Sequence, residues 1–183
     1  MTDGTCHLCE ETYTKRGMSR HLGGCLPTAD GEDSYHLRIA GERRSDYWLH
    51  LAVAEPTLLS TLDRFLRDCW VECCNHLSAF SIGDQRYERP SDDGRMGGPH
   101  RAQSMDVELG SVAARVDSFN YTYDFGSETA LDVRVVEAGD WSISGLESEG
   151  TETDYEGIAL LARNHPPDIE CEVCGASATT ICQ

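Results

Sequence analysis

Nine cysteines and seven histidines give this 183-residue chain its clearest capacity for chemistry. Four of these residues, Cys6, Cys9, His21 and Cys25, form the pattern C-x2-C-x11-H-x3-C near the start. A cysteine pair with this spacing forms a tight turn, and two ligands four residues apart lie on one face of a helix. The pattern therefore predicts a small ββα-like zinc finger in residues 1–28, whose folding free energy would come from the bound metal.

The predicted finger helix carries three basic residues, Lys15, Arg16 and Arg20. Side chains in these positions contact bases or phosphates when a finger binds DNA. Three nearby acidic residues, Asp3, Glu10 and Glu11, oppose that interpretation. The sequence therefore favours a structural or protein-docking finger, with nucleic-acid contact as the alternative.

A second cysteine pattern lies at the other end of the chain. Cys171, Cys174 and Gly175 form a Cys-x2-Cys-Gly turn, and Cys182 follows seven residues later. Such a turn is typical of a zinc knuckle, because glycine lets backbone amides turn toward the sulfurs. Three thiolates leave the fourth ligand open between His165, a water and a group from a second chain. We expect a knuckle in residues 165–183.

A third group of reactive residues surrounds the end of a predicted helix. Cys69 and Cys73 lie on its apolar stripe, where free cysteine packs as a small hydrophobic residue. The alternative is an enzyme whose site between sheet and helix uses His76, Asp124 and Cys74. Core packing is the favoured interpretation, and no catalytic residue is assigned.

The charge composition is strongly unbalanced. The chain has 32 acidic and 15 basic side chains, a formal net charge of −17, and Lys15 as its one lysine. Because the acids are spread along the chain, the composition favours a halophile protein whose self-repulsion is screened by salt. An acidic face for a basic partner is the alternative. Without a signal peptide or a bilayer-length apolar run, we expect a cytoplasmic protein.

Hydrophobic periodicity predicts an α+β domain over residues 34–164. Apolar residues recur every three or four positions from Leu58 to Cys73, after Thr57 as the expected cap, which predicts one long amphipathic helix. Alternating runs predict strands at Tyr35–Ile39, Tyr47–Ala54, 76–82, 119–123, 130–136 and 158–163. Turn-rich or acidic composition predicts loops over 83–104 and 137–155.

Several of these segments resemble the Ri-plasmid ORF-3-like family, and in particular its archaeal members with a cysteine-bearing tail. The resemblance rests on Tyr35–Ile39, Tyr47–Ala54, residues 69–80, residues 121–126 and the tail from Leu160 to Cys182. It implies a curved, largely antiparallel sheet wrapped against the long helix. Some relatives lie near mobile elements, and no activity is established for the family.

The function expected from the sequence is that of a non-enzymatic zinc protein that docks on a protein or nucleic-acid complex. The alternatives are the enzyme with His76 and Asp124, and a DNA-binding accessory protein linked to mobile elements. Zinc is the expected cofactor, bound by the finger ligands and by the three cysteines of the C-terminal knuckle.

Overall fold

The computed structural model describes residues 2–27, 31–71, 75–89, 102–143, 146, 155–167 and 170. The strands in these ranges are β1 (Asp3–Cys6), β2 (Thr12–Thr14), β3 (Glu32–Gly41), β4 (Trp48–Ala54), β5 (Ser78–Ile82), β6 (Gln85–Glu88), β7 (Gln103–Ser104), β8 (Ser118–Tyr123), β9 (Thr129–Trp141) and β10 (Ile158–Asn164). They form one sheet in the order β2-β1-β10-β4-β3-β9-β8-β5-β6-β7. Each neighbouring pair is antiparallel except β6 and β7, which are parallel.

Within the described ranges, three α-helices accompany the sheet: α1 (Lys15–Cys25), α2 (Leu59–Leu66) and α3 (Leu109–Ala113). A π-helical turn over Arg67–Val71 follows α2 directly. The architecture is therefore a sheet-dominated α+β fold, in agreement with the predicted class. Of the helices in the described ranges, none has the length and apolar character that crossing a membrane requires.

Both faces of the sheet bury apolar side chains, because strand residues point alternately to opposite sides. One face carries the larger cluster, in which Leu37, Leu51 and Val133 pack with Leu62 and Phe65 of α2. The other face carries a second cluster built on Trp48, Ala52 and Leu161, which Met18 and Leu22 of α1 cover. The predicted finger helix thus packs against the sheet on the face opposite α2.

The predicted finger segment, residues 1–28, is joined to the sheet directly through β1. β1 pairs with β10 in the register Gly4↔Asn164, Thr5↔Arg163, Cys6↔Ala162. A Cβ atom at Gly4 would lie 2.3 Å from the Arg163 carbonyl oxygen and 2.5 Å from the Trp48 ring, so only glycine allows this close approach. The backbone continues the pairing beyond the strand, since His7 N–H donates to Leu161 O at 2.8 Å.

Several sequence-based predictions of strands agree with the structure, whereas the two predicted loops contain regular elements. Both β6 and β7 lie within 83–104, and β9 extends through the start of the predicted acidic loop to Trp141. The reason is tertiary pairing, because β9 aligns with all of β3 from Gly41↔Leu131 to Glu32↔Trp141. Cross-strand partners stabilise polar segments that local composition assigns to loops.

The predicted long helix is shorter than expected, since α-helical hydrogen bonding covers only Leu59–Leu66 before the π-helical turn. Leu58 occupies the capping position without a side-chain hydrogen bond. The predicted cap, Thr57, instead donates its hydroxyl to Gly157 O at 3.2 Å. The segment before α3 satisfies the first helical donors, because Leu59 N–H donates to Val107 O and Ser60 N–H to Met105 O.

Candidate metal centre

The first two predicted ligands lie on a tight turn between β1 and β2. Cys6 ends β1, and its carbonyl accepts a hydrogen bond from Glu10 N–H at 2.8 Å. Cys6 N–H donates to Glu11 O at 2.9 Å, which closes the hairpin. Glu10 has a φ of 63°, a left-handed conformation that reverses the chain directly after Cys9. The turn therefore presents the two cysteines to a common point.

The other two ligands lie on α1. Thr14 caps this helix, because its hydroxyl accepts a hydrogen bond from Gly17 N–H at 3.1 Å. His21 and Cys25 lie one turn apart, so both side chains face the cysteine turn. The Tyr13 ring stacks on the His21 ring with centroids 4.2 Å apart, which fixes the imidazole plane.

These elements bring all four predicted ligands of the finger together, and we call Cys6, Cys9, His21 and Cys25 the Cys/His cluster. Their ligand atoms all lie within 4.8 Å of one another. Cys6 Sγ and Cys25 Sγ are 3.9 Å apart, and Cys9 Sγ is 3.2 Å from His21 Nε2. Tetrahedral bonds of ~2.3 Å to sulfur place two sulfurs ~3.8 Å apart. The cluster therefore has the dimensions of a tetrahedral metal site.

The pKa values of two thiols in the cluster, Cys6 and Cys25, are raised, so a nearby positive charge is needed for them to ionise near neutral pH. Burial, together with the neighbouring Cys9 and Cys6, raises the pKa of Cys25 to about 12. Burial also raises the pKa of Cys6, although hydrogen bonds from the backbone amides of Leu8 and Cys9 oppose this effect. Crowded thiols resist ionisation without a counter-charge, and a coordinated metal ion supplies that charge and deprotonates them.

The remaining predicted zinc ligands are not part of this centre. Cys171, Cys174 and Cys182 lie outside the described residues. His165, one of the proposed fourth ligands of the knuckle, lies beside β1, with its Nε2 2.8 Å from Thr5 Oγ1. Its backbone N–H donates to Asp3 O at 2.8 Å, which extends the β1–β10 junction.

The groups of the alternative enzymatic site, His76 and Asp124, do lie together. His76 Nδ1 is 2.8 Å from Asp124 Oδ2, with 41% and 20% of the two side chains exposed. Hydrogen bonds from Ser127 and from Gly126 N–H lower the pKa of Asp124 to about 2. Asp124 has a φ of 53° and begins the β8–β9 turn, so this carboxylate serves the turn. Cys74, the third group of that hypothesis, lies outside the described residues.

Sequence reasoning missed a buried histidine pair between the sheet and α1. His36 on β3 and His50 on β4 are both 0% exposed, and His36 Nε2 lies 2.8 Å from His50 Nδ1. One ring therefore donates a hydrogen bond to the other. Burial lowers the pKa of His36 to about 4; burial and the charges of His36, Arg38 and Lys15 lower that of His50 to about 2. The available signal was that both positions alternate with apolar residues in predicted strands.

This pair predicts a specific acid sensitivity. Both imidazoles are neutral in the folded protein but titrate near 6.5 in the unfolded chain, so unfolding takes up protons below that pH. The contribution of the two neutral histidines to the unfolding free energy is fully present above pH 6.5. It falls as the pH drops toward 4, with a limiting slope of about 1.4 kcal/mol per pH unit for each histidine. Urea unfolding of His36→Leu/His50→Leu should give a shallower pH dependence than the wild type. Acid release of metal from the cluster affects the wild type and the double variant alike, so it does not account for a difference between their slopes. Equal slopes of unfolding free energy against pH would contradict the role of the histidine pair.

The fold and the cluster together define a class: a sheet-dominated α+β protein with a Cys/His group that could hold a metal ion. The chain belongs to the plasmid pRiA4b ORF-3-like protein family, whose model matches residues 34–144. The Cys/His cluster precedes this matched range, so the family alone does not account for it.

A solved structure supports the fold assignment. The crystal structure of a protein of unknown function from Methanosarcina mazei Go1 matches with a TM-score of 0.51 and 21% identity. The match covers 67% of this chain and 66% of that one. No curated protein matches the chain. The family and the similar structure thus identify the fold, and the site must be interpreted from its own chemistry.

Proposed function

We propose that the Cys/His cluster binds one structural zinc ion, and that the metal holds a zinc finger on the end of the sheet. Three thiolates and one imidazole are a ligand set typical of structural zinc. Four protein ligands leave no open coordination position, which separates such a site from a catalytic one. The single observation that supports the proposal is the convergence of the four ligand atoms within 4.8 Å.

On this basis the protein acts as a non-enzymatic docking module for a protein or nucleic-acid complex. The metal centre supplies rigidity and no reaction chemistry, because its ligands fill the coordination shell. We also propose zinc binding by Cys171, Cys174 and Cys182, which would add a second metal ion at the C-terminal end. Docking is then the function of the surfaces that the metal keeps in place.

Metal content tests the zinc proposal directly. Purified wild-type protein should carry about two zinc equivalents, one for each predicted site. Cys9→Ser removes one thiolate from the cluster and should lower the content by one equivalent, measured by elemental mass spectrometry. Cys69→Ser is the matched control, since Cys69 lies in the π-helical turn after α2, packs against the larger apolar cluster and is not one of the four ligands.

The proposal fails if Cys9→Ser retains as much zinc as the wild type. It also fails if the wild type, purified without chelator, contains a different metal in the cluster. An equal loss in Cys69→Ser would mean that general unfolding, and not loss of a ligand, releases the ion.

A further inference from the structure

Basic side chains are locally enriched in two short stretches of this acidic chain. Six of the 15 bases fall in two short stretches, 15–20 and 38–46, which contain only two acids, Glu42 and Asp46. We call these six bases the basic ridge: Lys15, Arg16, Arg20, Arg38, Arg43 and Arg44. These two stretches carry a formal charge of +4 in a chain of net charge −17. The acids that oppose the finger's bases, Asp3, Glu10 and Glu11, lie on β1 and on the turn before β2, outside both stretches.

Contacts between α1 and the β3–β4 turn assemble the ridge from its two stretches. Lys15 Nζ donates to Ser45 O at 3.3 Å, so the start of α1 lies against that turn. Burial lowers the pKa of Lys15 and the nearby charge of Arg38 lowers it further, whereas Asp132 and Asp46 act in the opposite direction. Arg38 Nε is buried and has no hydrogen-bond partner in the described part of the chain. The ridge therefore contains crowded cations and a cationic donor that is not satisfied.

The outer surface of the ridge is open to solvent. Arg16 and Arg20 are exposed and lie one turn apart on α1, while Met18 and Leu22 on its other side are buried against the sheet. Arg43 and Arg44 are exposed in the neighbouring turn. Guanidinium groups with this exposure offer planar pairs of donors that match phosphate oxygens.

The composition of this surface distinguishes between classes of partner. Protein–protein interfaces are usually anchored by buried aromatic or aliphatic side chains. The exposed large hydrophobic residues of the described chain are Leu58 and Phe125, and neither belongs to the ridge. A surface with clustered arginine and no apolar anchor fits a polyanion better than a protein partner.

We propose that the basic ridge binds the phosphate backbone of nucleic acid without reading its sequence. The inference rests on the proposed function in one respect, because the metal centre would hold α1 and its arginines in place. The acidic remainder of the protein repels the same polyanion, so contact is confined to the ridge and its orientation is fixed. Binding through phosphates also makes the affinity strongly dependent on salt.

The test is the binding of a labelled 20-base-pair duplex to metal-loaded protein, measured by fluorescence anisotropy over a range of salt concentrations. Arg16→Ala/Arg20→Ala should weaken binding at least tenfold at low salt. It should also lower the slope of log K against log salt by about two, because each lost phosphate contact accounts for ~0.9. Arg115→Ala, which removes an exposed arginine outside the ridge, should bind like the wild type.

Zinc content measured in the same samples separates this inference from the zinc proposal. Metal-loaded wild type that fails to bind the duplex would overturn the nucleic-acid inference and leave the zinc centre in place. An equal loss of affinity in Arg115→Ala, or competition by polyglutamate as effective as by unlabelled duplex, would also overturn it. Protein without metal in the cluster contradicts the proposed function before any binding is measured.

Discussion

Chelating the metal from the purified protein is expected to lower its thermal unfolding temperature by more than about 10 °C, which corresponds to roughly 4 kcal/mol or more. An independent finger would unfold without affecting the sheet. Here β1 pairs with β10 and α1 covers the cluster around Trp48. Loss of the metal therefore removes the two strands at one edge of the sheet, β2 and β1, together with the cover of one buried face. Binding of structural zinc supplies ~10–16 kcal/mol in finger peptides, so an effect of this size is available.

Tryptophan fluorescence locates the change. Trp48 is fully buried under the finger unit, and its Nε1–H donates to Thr2 O at 3.3 Å. Trp70 packs in the cluster on the opposite face. In a Trp70→Phe/Trp141→Phe background, which leaves Trp48 as the one tryptophan of three, chelation should shift the emission to longer wavelength and zinc should restore it. Unchanged emission and an unchanged unfolding temperature after complete metal removal would contradict a structural role for the metal.

The part of the site that sequence could predict is local. The four ligands of the Cys/His cluster span 20 residues. The turn and helix that position them follow from the ligand spacing, from the capping residue Thr14 and from the apolar residues Met18 and Leu22 of α1. The β8–β9 hairpin was predictable for the same reason, since its strands are adjacent in the chain. In both cases the pattern and the contacts that satisfy it lie within a few turns of each other.

The parts that sequence could not predict depend on distant partners. The pairing of Gly4 with Asn164 joins residues at opposite ends of the described chain, and no periodicity in either segment indicates it. Asp33 and Asp140 are direct cross-strand partners, although Asp has a low strand propensity and two like charges opposite each other destabilise a strand pair. The early end of α-helical bonding in α2 likewise coincides with a side-chain network that no local signal indicates.

That network gives the second large expected effect: Asp63→Ala should cost about 3–5 kcal/mol of unfolding free energy. Asp63 is 1% exposed and accepts hydrogen bonds from Arg67 Nε at 2.9 Å, Ser78 Oγ at 2.6 Å and Tyr121 OH at 2.7 Å. Without the carboxylate, the guanidinium of Arg67, which is 3% exposed, loses its counter-ion inside the core.

Controls separate the uncompensated charge from the loss of packing. Asp63→Leu/Arg67→Met removes both charges and should recover much of the stability, because replacing a buried ion pair by apolar residues is often close to neutral. Asp106→Ala, at an exposed aspartate, should change stability by no more than about 0.5 kcal/mol. Urea unfolding of the metal-loaded proteins measures all three. If Asp63→Ala were as stable as Asp106→Ala, the network would not be what holds α2, β5 and β8 together, and the position of Arg67 at the start of the π-helical turn would need another cause.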